Sequence, residues 1–127
     1  MSFIDRILRR HVSTSKRGAE AEAIAARYLS RHGLRILTQN YRVRGGEIDL
    51  VCRDGAMLVF VEVRLRTKTA YGGAAASITF SKQQRLILAA RHWLSQHGDQ
   101  TCRFDCILLD ELDEARVEWV KNAFSAD

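Results

Sequence analysis

Proline is absent from this chain of 127 residues, cysteine occurs only three times, and no apolar run approaches the ~20 residues of a membrane-spanning helix. Without proline there is no proline-rich linker, and no internal repeat or low-complexity tract is found either. The N-terminus lacks both the apolar core and the small-residue cleavage site of a signal peptide, so a soluble, cytoplasmic protein with no membrane partner is expected. Cys52, Cys102 and Cys106 form no paired motif, which argues for reduced thiols in core or strand positions rather than a disulfide framework. His97, Cys102 and Cys106 match no zinc-ligand spacing.

The length suits one domain, residues 1–127, with a sizeable core. Twenty Lys and Arg against fifteen Asp and Glu give a net charge of +5, which favours a polyanionic partner without naming one.

The stretch from Gly46 to Arg64 organises the chain. Two runs rich in Val, Leu, Ile and Phe flank Asp54-Gly55, a hairpin signal because type I′ turns need positive φ at both central residues. A turn centred there makes Arg53 face Ala56, Asp49 face Phe60 and Glu47 face Glu62, with Asp49 and Glu62 as diagonal neighbours. Diagonal neighbours lie roughly 7–8 Å apart at the backbone, within reach of one shared divalent cation. Alternation puts Arg64 and Arg66 on the same face, so acids stand beside guanidinium groups as a phosphate-processing site requires. The same spacing also fits a solvated strand face dotted with ion pairs.

Residues 1–15 form a short basic amphipathic arm with Phe3, Ile4, Ile7 and Leu8 at helical spacing among Arg6, Arg9, Arg10 and His11. Ser13, Thr14 and Ser15 offer N-caps to a helix from about Lys16 to His32, ended by Gly33. Its apolar stripe is Ala21, Ile24, Ala25, Tyr28 and Leu29, and Glu20 and Glu22 lie at the two margins, where periodicity does not choose between them. Leu34 to Val43 reads as a strand, and Arg44-Gly45-Gly46 leads into the hairpin. After Arg66 comes a small-residue, basic loop, 67–73, whose Lys68 and Tyr71 suit a phosphate backbone and a stacked base, although connecting loops are Gly-rich for ordinary reasons too.

Ser81 is the expected N-cap of a second helix reaching Gln96, with Leu86, Ala89, Ala90, Trp93 and Leu94 inward and Lys82, Arg85 and Arg91 outward. Cys102 to Asp110 is a nearly continuous apolar strand that, after a helical crossover, should lie parallel to a neighbour. A last strand, Arg116 to Val120, ends the fold, with Phe124 packing back on the core. The order implies an α/β fold with a mixed sheet flanked by helices.

Gly46-Glu47-Ile48-Asp49-Leu50, Phe60-Val61-Glu62-Val63-Arg64, Arg103-Phe104-Asp105, Tyr71-Gly72-Gly73 and Val117-Glu118-Trp119 together resemble the YraN family of small bacterial proteins, over nearly the whole chain. That family looks like a distant relative of archaeal Holliday-junction resolvases within the PD-(D/E)xK nuclease superfamily, which implies a restriction-endonuclease-like αβββαβ core. The resemblance implies a metal-dependent endonuclease acting on DNA, of branched or damaged structure, with a non-catalytic nucleic-acid-binding accessory in repair or recombination as the alternative. An adaptor that meets an acidic protein is a third expectation. Carried over by motif, Asp49 and Glu62 hold Mg²⁺ or Mn²⁺ with the Val63 carbonyl, and the helix acid matches Glu22 rather than Glu20. Arg64 stands where the superfamily has Lys; it can orient phosphate or stabilise charge but cannot give up its proton to activate water. Lys82 is a candidate substitute cation, and Arg44, Arg66, Lys68, Tyr71 and Lys82 are the expected nucleic-acid contacts. Resolvase relatives also imply a twofold homodimer.

Overall fold

A computed structural model describes residues 16–65 and 78–126. The expected arm at 1–15, the N-caps Ser13, Thr14 and Ser15, and the contacts Arg66, Lys68 and Tyr71 lie outside the described residues.

Helix α1 (Lys16–Arg31) buries Ala21, Ile24, Ala25 and Leu29, the stripe its periodicity marks. After it come strands β1 (Arg35–Val43), β2 (Gly46–Asp54) and β3 (Met57–Leu65), helix α2 (Phe80–His97), strand β4 (Cys102–Leu109), a 3₁₀ turn (Glu114–Arg116) and strand β5 (Val117–Phe124). The five strands make one open mixed sheet in the order β1-β2-β3-β4-β5. β3 and β4 are parallel, as the intervening helix requires, and the other neighbours are antiparallel.

Alternation along β3 divides the core. Val59 and Val61 join Leu50, Cys52, Ile107 and Leu109 under α1, whereas Leu58 and Phe60 join Ile48, Val51, Leu86 and Trp93 under α2. Both faces of the sheet are therefore covered, which is why β4 reads as a continuous apolar run. Phe124 stacks on Phe104 with ring centroids 4.7 Å apart, closing the far edge.

The structure corrects three local expectations. The hairpin loop is Gly55-Ala56, not Asp54-Gly55: Asp54 pairs with Met57 and Arg53 with Leu58. Gly55 alone has positive φ, 60°, as a Gly-first type II′ loop needs. Asp54 remains in the strand, where Arg103 of β4 donates to its carboxylate at 3.0 Å. The register therefore slides by two residues, which keeps every side chain on its face but brings Asp49 level with Glu62 rather than Phe60. The N-cap of α2 is Thr79, whose Oγ1 accepts the Lys82 N–H at 3.2 Å, in place of Ser81. The last strand starts at Val117 and runs to Phe124, beyond the expected Val120, because Asp105 anchors its far half.

Asp105 is 1% exposed and accepts from Arg103 Nε, Trp119 Nε1 and the Asn122 N–H, the last made possible by Asn122 at φ 53°. At the opposite end of the sheet, a Cβ on Gly46 would lie 2.5 Å from the Arg85 carbonyl oxygen. Only glycine lets α2 approach β2 this closely. No helix among the described residues is long and apolar enough to cross a membrane.

Candidate active site where the central hairpin opens

The β2–β3 ladder runs from Asp54–Met57 to Leu50–Val61. Past it, the Val63 N–H donates to Asp49 Oδ2 at 2.8 Å, so a side chain takes the place of a strand carbonyl. The two strands separate around this carboxylate. Val61 and Val63 point toward α1, which leaves Glu62 and Arg64 on the α2 side, where Lys82 and Arg85 of α2 share a wall with Glu62.

Glu22 approaches from α1. Asn40 and Asp49 are side chains that hold down the pKa of its carboxyl. Asn40 lies between the pairs Gln39–Leu50 and Tyr41–Ile48, level with Asp49, and its φ of 54° is a left-handed conformation inside a strand. Asn tolerates that conformation better than most residues, and such strain gathers at functional positions.

These side chains line a cleft of about 590 Å³, with Glu22, Glu47, Asp49 and Glu62 facing Arg42, Arg64, Lys82 and Arg85. Glu47 is shared between Arg42 and Arg85, each at 3.7 Å. Asp49 differs, because its described partners are the Val63 N–H and other carboxyl groups. Burial, then the charge of Glu62, pushes the Asp49 carboxyl up to about 8, against the hydrogen bond from Val63. Burial likewise raises Glu62 to about 7, although Arg64 opposes the rise. Glu22 is raised by burial and held back by Asn40 and Asp49. Three carboxyl groups that resist ionising together either keep protons or accept a cation.

The donors are all oxygen, a set suited to hard cations such as Mg²⁺ and Mn²⁺. Among the described residues, no group of three or more His, Cys, Asp or Glu side chains is drawn together tightly enough to enclose a metal. The arrangement is thus an open one. Mg²⁺ commonly binds through one or two carboxylates, with water and substrate phosphate completing its shell, and Asp49 with Glu62 fits that pattern.

Of the residues singled out in the sequence, Glu22, Asp49, Glu62, Arg64 and Lys82 come together in the cleft. Glu20 is exposed and does not line it. Arg44 lines an adjoining groove instead, with Arg42, Val43, Leu88 and His92. Sequence reasoning did not single out Asn40, Arg42, Glu47 or Arg85 for the site. For Asn40 the available signal was an Asn inside a strand, where its type is depleted; for Glu47 it was the neighbouring glycine that brings α2 close.

The described part of this cleft falls almost entirely within residues 21–109, the span matched by the model of Uncharacterised protein family UPF0102. The chain belongs to that family, the YraN family of its sequence resemblance. It is 56% identical over 115 residues to a UPF0102 protein of Dechloromonas aromatica, covering 91% of this chain and 93% of the relative. A UPF0102 protein of Methylobacillus flagellatus is 55% identical over 109 residues, 86% of this chain and 96% of its own. One from Nitrosomonas europaea is 50% identical over 113 residues, 88% and 96% of the two chains.

Proposed function

We propose that this protein is a metal-dependent endonuclease acting on DNA, built on the αβββαβ core of the PD-(D/E)xK nucleases and related to the resolvases of branched DNA. The observation that carries the reading is the meeting of Glu22, Asp49 and Glu62 beside Arg64 and Lys82 in one open cleft. The order α1, β1, β2, β3, α2, β4 agrees with that core.

In this reading Asp49 and Glu62 hold Mg²⁺ or Mn²⁺, with Glu22 joining directly or through water. A bound divalent ion would polarise a phosphate oxygen and lower the pKa of an attacking water. The chain's own groups do the rest. Val63 fixes the Asp49 carboxylate through its N–H, Asn40 holds Glu22, and Arg64 and Lys82 supply positive charge for the phosphate as negative charge develops on it. Arg42 and Arg85, bridged by Glu47, form the rim that a polyanion meets first.

Arg64 favours a second reading, a nucleic-acid-binding accessory that does not cleave, because a guanidinium cannot serve as the titratable ammonium of the superfamily pattern. A cleavage assay separates the two. Labelled duplex, flap and four-way-junction DNA is incubated with Mg²⁺ or Mn²⁺, and binding is titrated in parallel with metal chelated. Metal-dependent cutting that Glu62→Gln abolishes establishes the nuclease; binding without cutting of any substrate establishes the accessory.

A further inference from the structure

We propose that the groove between the β1–β2 turn and α2 receives one unpaired nucleotide of the strand whose next phosphate lies in the acidic cleft. This rests on the phosphodiester reading of the cleft and narrows its substrate to nucleic acid with single-stranded residues at the site.

The groove has a volume of about 380 Å³, within the ~300–1,000 Å³ usual for small-molecule sites, and Arg42 lines both it and the cleft. The two spaces share Arg42 in their walls. Among the described residues, the charged groups that line the groove are cationic: Arg42 and Arg44, with His92 beside them. The acid that pairs with Arg42, Glu47, lines the cleft and not the groove. Arg44 has no ion-pair partner among the described residues, so its charge is free for an anion.

The floor is apolar. Val43 and Leu88 form it, and Leu88 is 46% exposed, one of two large hydrophobic side chains left exposed among the described residues. Phosphate alone has no use for such a floor. A duplex would set its phosphates on the arginines while its bases stayed stacked and paired, away from Leu88. An unpaired nucleotide satisfies both parts, with phosphates on Arg42 and Arg44 and its sugar and base edge against Leu88 and Val43.

The walls are set before any ligand arrives. Gly45, at φ 83°, brings the turn so close to α2 that a Cβ would lie 3.1 Å from Leu88 Cδ2. The His92 ring is fixed by a 2.5 Å hydrogen bond with the Tyr41 hydroxyl, and the Tyr41 ring in turn packs edge-on against Trp93.

The test is an anisotropy titration of the full-length protein, metal chelated, with a labelled single-stranded oligodeoxynucleotide and with the duplex of the same sequence. Arg44→Ala and Leu88→Ser are compared with wild type and with Lys121→Ala as a surface-charge control. Leu88→Ser changes no charge and disturbs no core, so its effect isolates the floor; thermal melts verify that each variant is folded. Leu88→Ser should weaken single-strand binding by about 5-fold or more while its duplex binding and the control stay near wild type; Arg44→Ala, which removes a phosphate contact open to both forms, should weaken single-strand binding by about as much and reduce the salt slope by about one. Either variant binding single strands like wild type, or Leu88→Ser weakening both forms alike, overturns the proposal. If Arg64→Ala and Lys82→Ala weaken binding while the groove variants do not, the groove falls and the cleft reading stands. Wild type that binds neither form at low salt overturns both.

Discussion

The Val63 N–H donates to Asp49 Oδ2 at 2.8 Å, inserting a carboxylate between two strands where the ladder would have placed a carbonyl. The strands part there, and the gap lies between the helix on one face and the helix on the other. Glu22 enters from the α1 side and Glu62 from the α2 side, so a single replaced backbone hydrogen bond gathers groups from both faces of the sheet.

The first consequence is a pH dependence. In the metal-free protein the folded-state carboxyls of Asp49 and Glu62 are raised to about 8 and about 7, above the ordinary 3.8 and 4.5. Between those limits the folded chain keeps protons that the unfolded chain has released, so their contribution is fully present below about pH 4 and is lost as pH rises toward 8. Melting wild type and Asp49→Asn in EDTA from pH 4 to 9 should show the variant gaining on wild type as pH rises, by ~5 °C or more at pH 8. Adding Mn²⁺ at pH 8 should raise the wild-type midpoint and leave the variant nearly unmoved. A difference between the two proteins that does not vary with pH would count against the half-buried carboxyl pair.

In the proposed nuclease, Arg64 is the group that would decide how the phosphate is handled. Arg64→Ala should lower metal-dependent cleavage by roughly 10²–10³-fold, the usual effect of removing one transition-state contact, while Mn²⁺ binding by calorimetry persists. Arg64→Lys should keep or raise the rate, since an ammonium can also lose a proton. Equal loss in both variants would show that guanidinium geometry, not charge, is what the site needs.

Asn40 combines a left-handed backbone with a side chain that holds down the Glu22 pKa, and the two roles can be separated. Asn40→Gly removes the side chain but suits the backbone, so stability should change by no more than about 1 kcal/mol. Its Mn²⁺ affinity should still fall by about 10-fold, as when a ligand loses its supporting hydrogen bond. Asn40→Val should lose stability as well, because a β-branched residue is strained at positive φ.

Gly46 sets the distance between α2 and β2. A Cβ there meets the Arg85 carbonyl at 2.5 Å, which is backbone and cannot swing aside. Gly46→Ala should therefore cost about 1–3 kcal/mol in urea unfolding and displace Arg85 from the cleft rim.

Asp105→Ala should be more damaging than any cleft substitution, because it leaves the Arg103 guanidinium, 17% exposed, without its buried partner. A loss of about 3–5 kcal/mol is expected, together with early exchange of the β5 amides near Asn122. The Arg103-Phe104-Asp105 motif is thus an anchor for the edge strand and not part of the cleft.

The sequence alone determined whatever depends on near neighbours. The period of α1, the alternation of β3, the unbroken apolar run of β4 and its parallel partner all follow from local hydrogen-bond geometry and from which faces are covered. So does the meeting of Asp49 and Glu62, which one hairpin joins whether its loop is Asp54-Gly55 or Gly55-Ala56, since the slide by two residues preserves the faces. The exact register was decided by Arg103, which is remote in sequence and holds Asp54 in the strand. Glu22 and Glu20 flank the apolar stripe of α1 symmetrically, and only the seating of that helix beside β1 and β2 turned Glu22 toward Asn40 and Asp49 while leaving Glu20 in solvent. The rim of Arg42, Glu47 and Arg85, and the groove at Leu88, likewise exist only because Gly46 lets α2 come down onto β2. A charged residue at a helix margin or strand end has no period that says what it faces, and the packing of one element on another supplies that information.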